Sequence, residues 1–237
     1  MSACRKVAVV TGGNRGIGIS LVRNLCQTFD GAVYLTARNE ERGKKAVQDL
    51  KAEGLSPCFH QLDIDSRDSI CDFAKYLKET YGGVNVIIAN GSVSYEKNSP
   101  VPLSEQSEGY IRVNNIGNAN LYQALEPLLR QDGRYVIVSS GFGQLSHISE
   151  KLRPKFQTDN MSIDQLNCVL NEYVTSTKDG SYKEKGWPGL AKRRLQAGSC
   201  SSNQNPCAQS EGQPSSSARE RLLSRMDCHR RYQDVSG

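Results

Sequence analysis

Short apolar runs alternate with longer amphipathic stretches from Val7 to Ser139. Val7–Thr11 is apolar and ends in a glycine-rich turn. A helical pattern follows, with Ile17, Ile19, Leu21, Val22, Leu25 and Cys26 on one side. Ala32–Ala37 reads as a second strand. Asn39 then caps a charged helix to about Glu53, with Glu41, Arg42, Lys44 and Lys45 facing water. Phe59–Leu62 is a short third strand. Ser66 to Tyr81 is amphipathic, with Ile70, Phe73 and Leu77 as its apolar stripe. Val84–Ile88 is a fourth strand, Leu103 to Arg130 is mostly helical, and Arg134–Ser139 is a fifth strand.

Strands alternating with helices in this way predict an α/β fold with a doubly wound parallel sheet. Strands that are apolar almost throughout fit a sheet covered on both faces. The stretch from His147 to Pro188 reads as a polar, helical insertion on that core. After Trp187 the pattern stops. From Ala191 onward there are nine serines, few aliphatics and no period of either kind, the composition of a disordered tail. A doubly wound domain normally continues with more strands, so the sheet is expected to lack its last ones. The chain therefore divides into a domain over residues 1–190 and a low-complexity basic tail over 191–237.

Composition changes this picture only a little. A length of 237 residues suits one domain with an appendage. The net charge of +5 is mostly the tail's, which holds eight basic residues against four acids. A nucleic-acid partner is not expected, because the tail has one aromatic, Tyr232, and no stacking series. Eight cysteines are too sparse for a disulfide scaffold and form no CxxC pair. Cys200, Cys207, Cys228 and His229 match no common metal-site spacing, so no metal is expected. The N-terminus shows no signal peptide and no stretch long enough to span a membrane. A soluble protein of the reducing cytoplasm is the expectation.

The chemistry begins at Thr11-Gly12-Gly13-Asn14-Arg15-Gly16-Ile17-Gly18, between the first strand and the first helix. Glycines there let backbone approach a pyrophosphate, and the helix N-terminus favours negative charge. Folds that select NAD usually place an Asp or Glu after the second strand, on the ribose 2′-hydroxyl. This chain has Arg38 there, and Arg15 lies in the turn itself. Two cations at these positions favour a 2′-phosphate, hence NADP(H) over NAD(H).

These residues resemble the short-chain dehydrogenase/reductase family, and within it the monomeric NADPH-dependent carbonyl reductases. The matching pieces are VAVVTGGNRGIG (7–18), LTAR (35–38), GLSPCFHQLDID (54–65), the helix with Asn114, VIVSS (136–140) and KEKGWP (183–188). The resemblance covers roughly residues 5–190. It implies a Rossmann-like domain that reduces aldehydes, ketones and quinones with NADPH. It also implies a monomer, because the insertion blocks the family's usual four-helix dimer face. Position by position, Gly12, Asn14, Arg15, Gly16, Ile17 and Gly18 would hold the pyrophosphate and ribose, and Arg38 the 2′-phosphate. Asp63 and Ile64 would flank the adenine, and Asn90 would line the cofactor ribose. Ser140 would hydrogen-bond the substrate carbonyl, and Asn114 would carry the water of the proton relay.

Two departures stand out. The family's NNAG after the fourth strand is here Ala89-Asn90-Gly91-Ser92. More consequentially, the alkoxide left by hydride transfer must be protonated, and the family uses a Tyr with a Lys four residues later. That spacing places both on one helical face. None of the ten tyrosines here has Lys at that spacing. The motif should follow KEKGWP, where the tail begins. Leu195–Cys207 can be back-translated so that a frame one nucleotide later reads SKLAAVALTKIH, like the family's active-site helix. Glu220–Val235 can be back-translated to give NACCPGWIATDDIRT, like the segment after its sixth strand. The tail thus reads as a shifted frame, broken near Lys192. Two functions remain open: an NADPH-dependent carbonyl reductase, or a catalytically inactive NADP-binding variant.

Overall fold

The computed structural model describes residues 5–187, except 97, 140–144 and 158–160. The expectations for Ser140, for the tail at 191–237 and for its cysteines and His229 lie outside the described residues.

Five parallel strands form one sheet: β1 (Val7–Val10), β2 (Ala32–Ala37), β3 (Cys58–Gln61), β4 (Val84–Ala89) and β5 (Leu129–Ile137), in the order β3-β2-β1-β4-β5. This is the doubly wound order 3-2-1-4-5-6 as far as its fifth strand. Between them run α1 (Gly16–Thr28), α2 (Glu40–Ala52) and α3 (Arg67–Tyr81). The stretch after β4 holds α4 (Leu103–Gly109), a π-helical segment (Tyr110–Gly117) and α5 (Asn118–Leu125). After β5 come α6 (Arg153–Phe156) and α7 (Ile163–Lys178).

Burial explains the strands. All of β1 and β2 is buried, as a central parallel strand with helices on both faces must be. On one face, Val10, Val22, Leu35, Val47 and Leu50 pack beneath α1 and α2. On the other, Val9, Tyr34, Phe73, Leu77, Ile87, Leu121 and Leu125 pack beneath α3 and α5. Three helices start on a capping side chain: Asn39 for α2, Ser66 for α3 and Ser162, in a full capping box, for α7.

Three expectations change. β5 begins at Leu129 rather than Arg134. Leu129 pairs with Val84, the chain bulges through Arg130–Gly133 with Asp132 at φ 65°, and pairing resumes at Arg134 opposite Val86. The polar residues of that bulge hid the strand's first half, which also cut short the helical stretch expected to reach Arg130. Ile17, grouped with the apolar side of α1, is 65% exposed. The insertion, read as polar, has its own core of Ile148, Leu152, Phe156, Leu166, Leu170, Tyr173 and Trp187, packed on Tyr110 and Ile111.

Candidate functional site

The glycine turn joins β1 to α1 at the C-terminal ends of the strands. Gly12 and Gly16 take left-handed φ values of 63° and 55°. A Cβ on Gly18 would lie 2.2 Å from the Gly12 carbonyl oxygen, so only glycine lets the helix pass this close to the turn. A Cβ on Gly16 would meet nothing within 4 Å. The turn is therefore jammed on its protein side and open on the other. Unlike α2, α3 and α7, helix α1 has no side-chain cap and no acid in its first turn. Its N-terminal residues Arg15, Gly16 and Ile17 are exposed, and an uncapped helix N-terminus of this kind can bind an anion.

Asn90, at the end of β4, holds this turn. Its Nδ2 donates to the carbonyl oxygens of Thr11 (3.0 Å) and Gly12 (3.3 Å). The backbone amides of Asn90 and Gly91 both donate to Thr11 Oγ1, at 3.0 and 2.7 Å. The side-chain amide expected to line a ribose is thus spent on the phosphate turn. Thr11, fully buried, stands first in the motif but was given no role of its own in the sequence reading.

Asn114 lies within the π-helical segment and is tied to the loop after β4. Its Oδ1 accepts from the Val93 amide at 2.8 Å, and its Nδ2 donates to the Val93 carbonyl at 3.0 Å. Asn118 extends the link by donating to the Asn114 carbonyl at 3.1 Å. The side chain of Asn114 therefore positions the 91–95 loop.

At the other end of the cleft, Arg38 is exposed just after β2, and its carbonyl accepts from Gln61 Nε2 at 3.0 Å. Asp63 accepts from the Asp65 amide at 3.1 Å, while its own amide donates to Ser69 Oγ. Ile64 packs into the core under α3 and α5. Asp65 faces the Arg112 guanidinium at 3.1 Å. The turn, Arg38, Asp63, Ile64, Asn90 and Asn114 all lie at the C-terminal ends of β1 to β4 and on the helix that follows β4, where open α/β sheets bind ligands.

None of the described tyrosines is followed by a lysine four residues on. Tyr173 is completely buried and hydrogen-bonded to Ser107 at 2.8 Å, and Lys178 pairs instead with Glu108 at 3.1 Å. Lys183 sits over the Tyr182 ring. The Tyr34 hydroxyl bonds to those of Tyr76 (2.6 Å) and Tyr81 (3.0 Å), and burial first, then these bonds, push its pKa up. Burial likewise raises Tyr135. Both shifts run opposite to the lowering that a catalytic phenol beside a lysine needs.

The family model for short chain dehydrogenase matches residues 6–151. The chain belongs to that family. Among its relatives, carbonyl reductase (NADPH) 3 of Rattus norvegicus is 41% identical over 193 residues, covering 81% of this chain and 70% of the relative. Carbonyl reductase (NADPH) 1 of Homo sapiens is 42% identical over the same shares of both chains. Menthone neomenthol reductase from Mentha piperita has the same fold, with a TM-score of 0.74, 24% identity and 84% of each chain covered. No helix among the described residues is long and apolar enough to cross a membrane.

Proposed function

We propose that this chain binds NADPH in the cleft above β1, β2 and β4. Its ancestral reaction is reduction of aldehydes, ketones and quinones, and it carries the binding half of that machinery without the proton donor. The single observation behind this is the turn at Gly12–Gly18, packed shut by Gly18 and Asn90 on one side and open, uncapped and cationic on the other. Names of relatives 41–42% identical support the choice of NADPH.

In this reading the first amides of α1, with Gly12, Asn14, Arg15, Gly16, Ile17 and Gly18, hold the pyrophosphate and its ribose. Arg38 meets the 2′-phosphate. Asp63 and Ile64 border the adenine, and Asn90 keeps the turn in shape. Bound NADPH supplies a hydride to a carbonyl carbon. Ser140 would then hydrogen-bond the carbonyl oxygen, and Asn114 would position the water of the relay. No YxxxK pair exists in the sequence to protonate the resulting alkoxide. Acid–base groups of this kind contribute about 10²–10⁴-fold, so turnover falls by that order.

The partner is a small carbonyl compound. Packing of α7 and its neighbours over Tyr110 and Ile111 supports a chain that does not dimerise through that helical face. The free thiols of Cys26, Cys58, Cys71 and Cys168 suit a reducing, cytoplasmic setting.

A fluorescence titration with NADPH beside a turnover assay on a quinone tests the reading. Saturable binding without turnover is expected. Absence of binding sinks the proposal, and turnover at rates typical of a reductase returns the chain to the active enzymes.

A further inference from the structure

The π-helical segment Tyr110–Gly117 supports two loops of the cleft on different faces. A π-helical turn joins residue i to i+5, so Arg112 and Gly117 stand one above the other, where an α-helix would set them about 140° apart. In keeping with that stacking, a Cβ on Gly117 would lie 3.3 Å from the Arg112 carbonyl oxygen. Both residues meet the loop after β3. The same Cβ would run into the Ile64 carbonyl oxygen and lie 3.1 Å from its carbon, so the main chain of Ile64 rests directly on the helix where no side chain intervenes. Arg112 Nε faces Asp65 Oδ1 at 3.1 Å. That oxygen is shielded from solvent and accepts no hydrogen bond among the described residues, so the guanidinium is what offsets its charge. Asn114 and Asn118 turn the other way, to Val93 and to Gly91.

Ile64 passes the contact on. Its side chain is buried in the layer under α3 and α5. A Cβ on Gly91 would lie 3.3 Å from Ile64 Cδ1 and 3.0 Å from Thr11 Oγ1. A Cβ on Gly12 would in turn lie 2.9 Å from Gly91 Cα. Helix, both loops and the glycine turn are thus in unbroken contact, with a glycine at each crossing. The 63–65 loop is also tied to α3, because the Asp63 amide donates to Ser69 Oγ at 3.0 Å. The π-helical segment is its second support. Close-packed interiors transmit displacement, so a group added at Gly117 or a lost pair at Asp65 moves this loop relative to the turn.

We propose that Gly117 and Arg112 are positioning residues for the adenosine half of NADPH, holding the 63–65 loop at the distance from the turn that an adenine needs. The inference rests on the NADPH reading. Both residues act through Ile64 and Asp65 rather than by touching the nucleotide.

The test is calorimetric titration of the full chain, well below its Tm, with NADPH and with adenosine 2′,5′-bisphosphate, which lacks the nicotinamide half. Gly117→Ala should weaken both ligands by the same factor, at least about tenfold, because the added methyl overpacks a main-chain contact. Arg112→Gln should weaken both by about twofold to fivefold, the range of an exposed ion pair. Arg112→Lys keeps a cation beside Asp65 and should recover most of that loss. A merely structural role would lower Tm and leave the affinity of the folded chain unchanged. Circular dichroism shows which variants fold, and if Gly117→Ala does not, the two Arg112 variants decide. Folded variants that bind both ligands as tightly as the wild type overturn the assignment. A loss seen with NADPH but not with the bisphosphate overturns it as well, and equal losses in Arg112→Lys and Arg112→Gln overturn the role of Arg112. A wild type that binds neither ligand overturns the NADPH reading itself, and this assignment falls with it.

Discussion

At the scale of single residues, the nucleotide turn is fixed by space. A methyl group on Gly18 would overlap the Gly12 carbonyl and crowd Asn90 Nδ2, at 2.2 and 2.7 Å. Gly18→Ala must therefore push the turn away from α1. Such overpacking costs about 1–3 kcal/mol, and a fluorescence titration should show NADPH affinity falling at least about tenfold. Arg38 carries a different burden, since it is exposed and its role is charge. Arg38→Gln should weaken NADPH by roughly 10–100-fold, the worth of a charge-assisted hydrogen bond of about 1.5–3 kcal/mol, and leave NADH nearly unchanged. Glu53 offers a test by pH. Its carboxylate takes a bidentate pair of bonds from Arg23, at 2.6 and 2.8 Å, which holds its pKa below the ordinary value. A carboxylate lowered on folding contributes stability above its unfolded pKa of about 4.3 and loses it as pH falls through the folded value. Melting curves should show Glu53→Gln lowering Tm at pH 7 and converging with the wild type in acid. The difference is expected to be small, because both partners are exposed.

At the scale of elements, legibility followed periodicity. β1 and β2 are buried on both faces, so their apolar runs were plain in the sequence. Asn39 and Ser66 cap the helices they were expected to start or open. β5 was half hidden because Arg130–Gly133 bulges out of register, and a bulge carries polar residues where alternation predicts apolar ones. The π-helical turn at Tyr110–Gly117 was invisible for a related reason, since apolar spacing does not separate it from the α-helices on either side. In the site, glycine spacing marked the tight turn between β1 and α1. Val93 escaped notice, and Thr11 was quoted in the turn without a role, because both act through bonds to residues far along the chain, which no local pattern encodes. The insertion hid its core in the same way, by gathering residues from α6, α7 and the turns around them. Leu170→Ala, at a fully buried position there, should cost about 2–5 kcal/mol in urea unfolding. A smaller loss would mean that α7 collapses onto Tyr110 and Ile111 without it.

At the scale of the whole molecule, the proposed reading separates binding from catalysis in this chain. The pyrophosphate turn, Arg38 and the loop held by Asn114 are built from β1 through the π-helical segment, all of it within the described residues. The proton donor belongs by family pattern after KEKGWP, and no tyrosine there has its lysine. Binding should therefore survive on the part that holds the cleft and act on the fold as a whole. A ligand that binds only the folded state stabilises it by about 2.7 kcal/mol at a hundredfold excess over its Kd. For a chain of 150–250 residues each kcal/mol raises Tm by about 2–4 °C, so NADPH at that excess should raise Tm by roughly 5–11 °C. NADH at the same concentration should raise it less, because Arg38 then has no 2′-phosphate to meet. The discriminating result is the two readings together. A large NADPH shift with no oxidation of the cofactor by a quinone places the loss in the acid alone. No shift with either nucleotide means that β1 to β5 and their helices do not suffice to build the cleft.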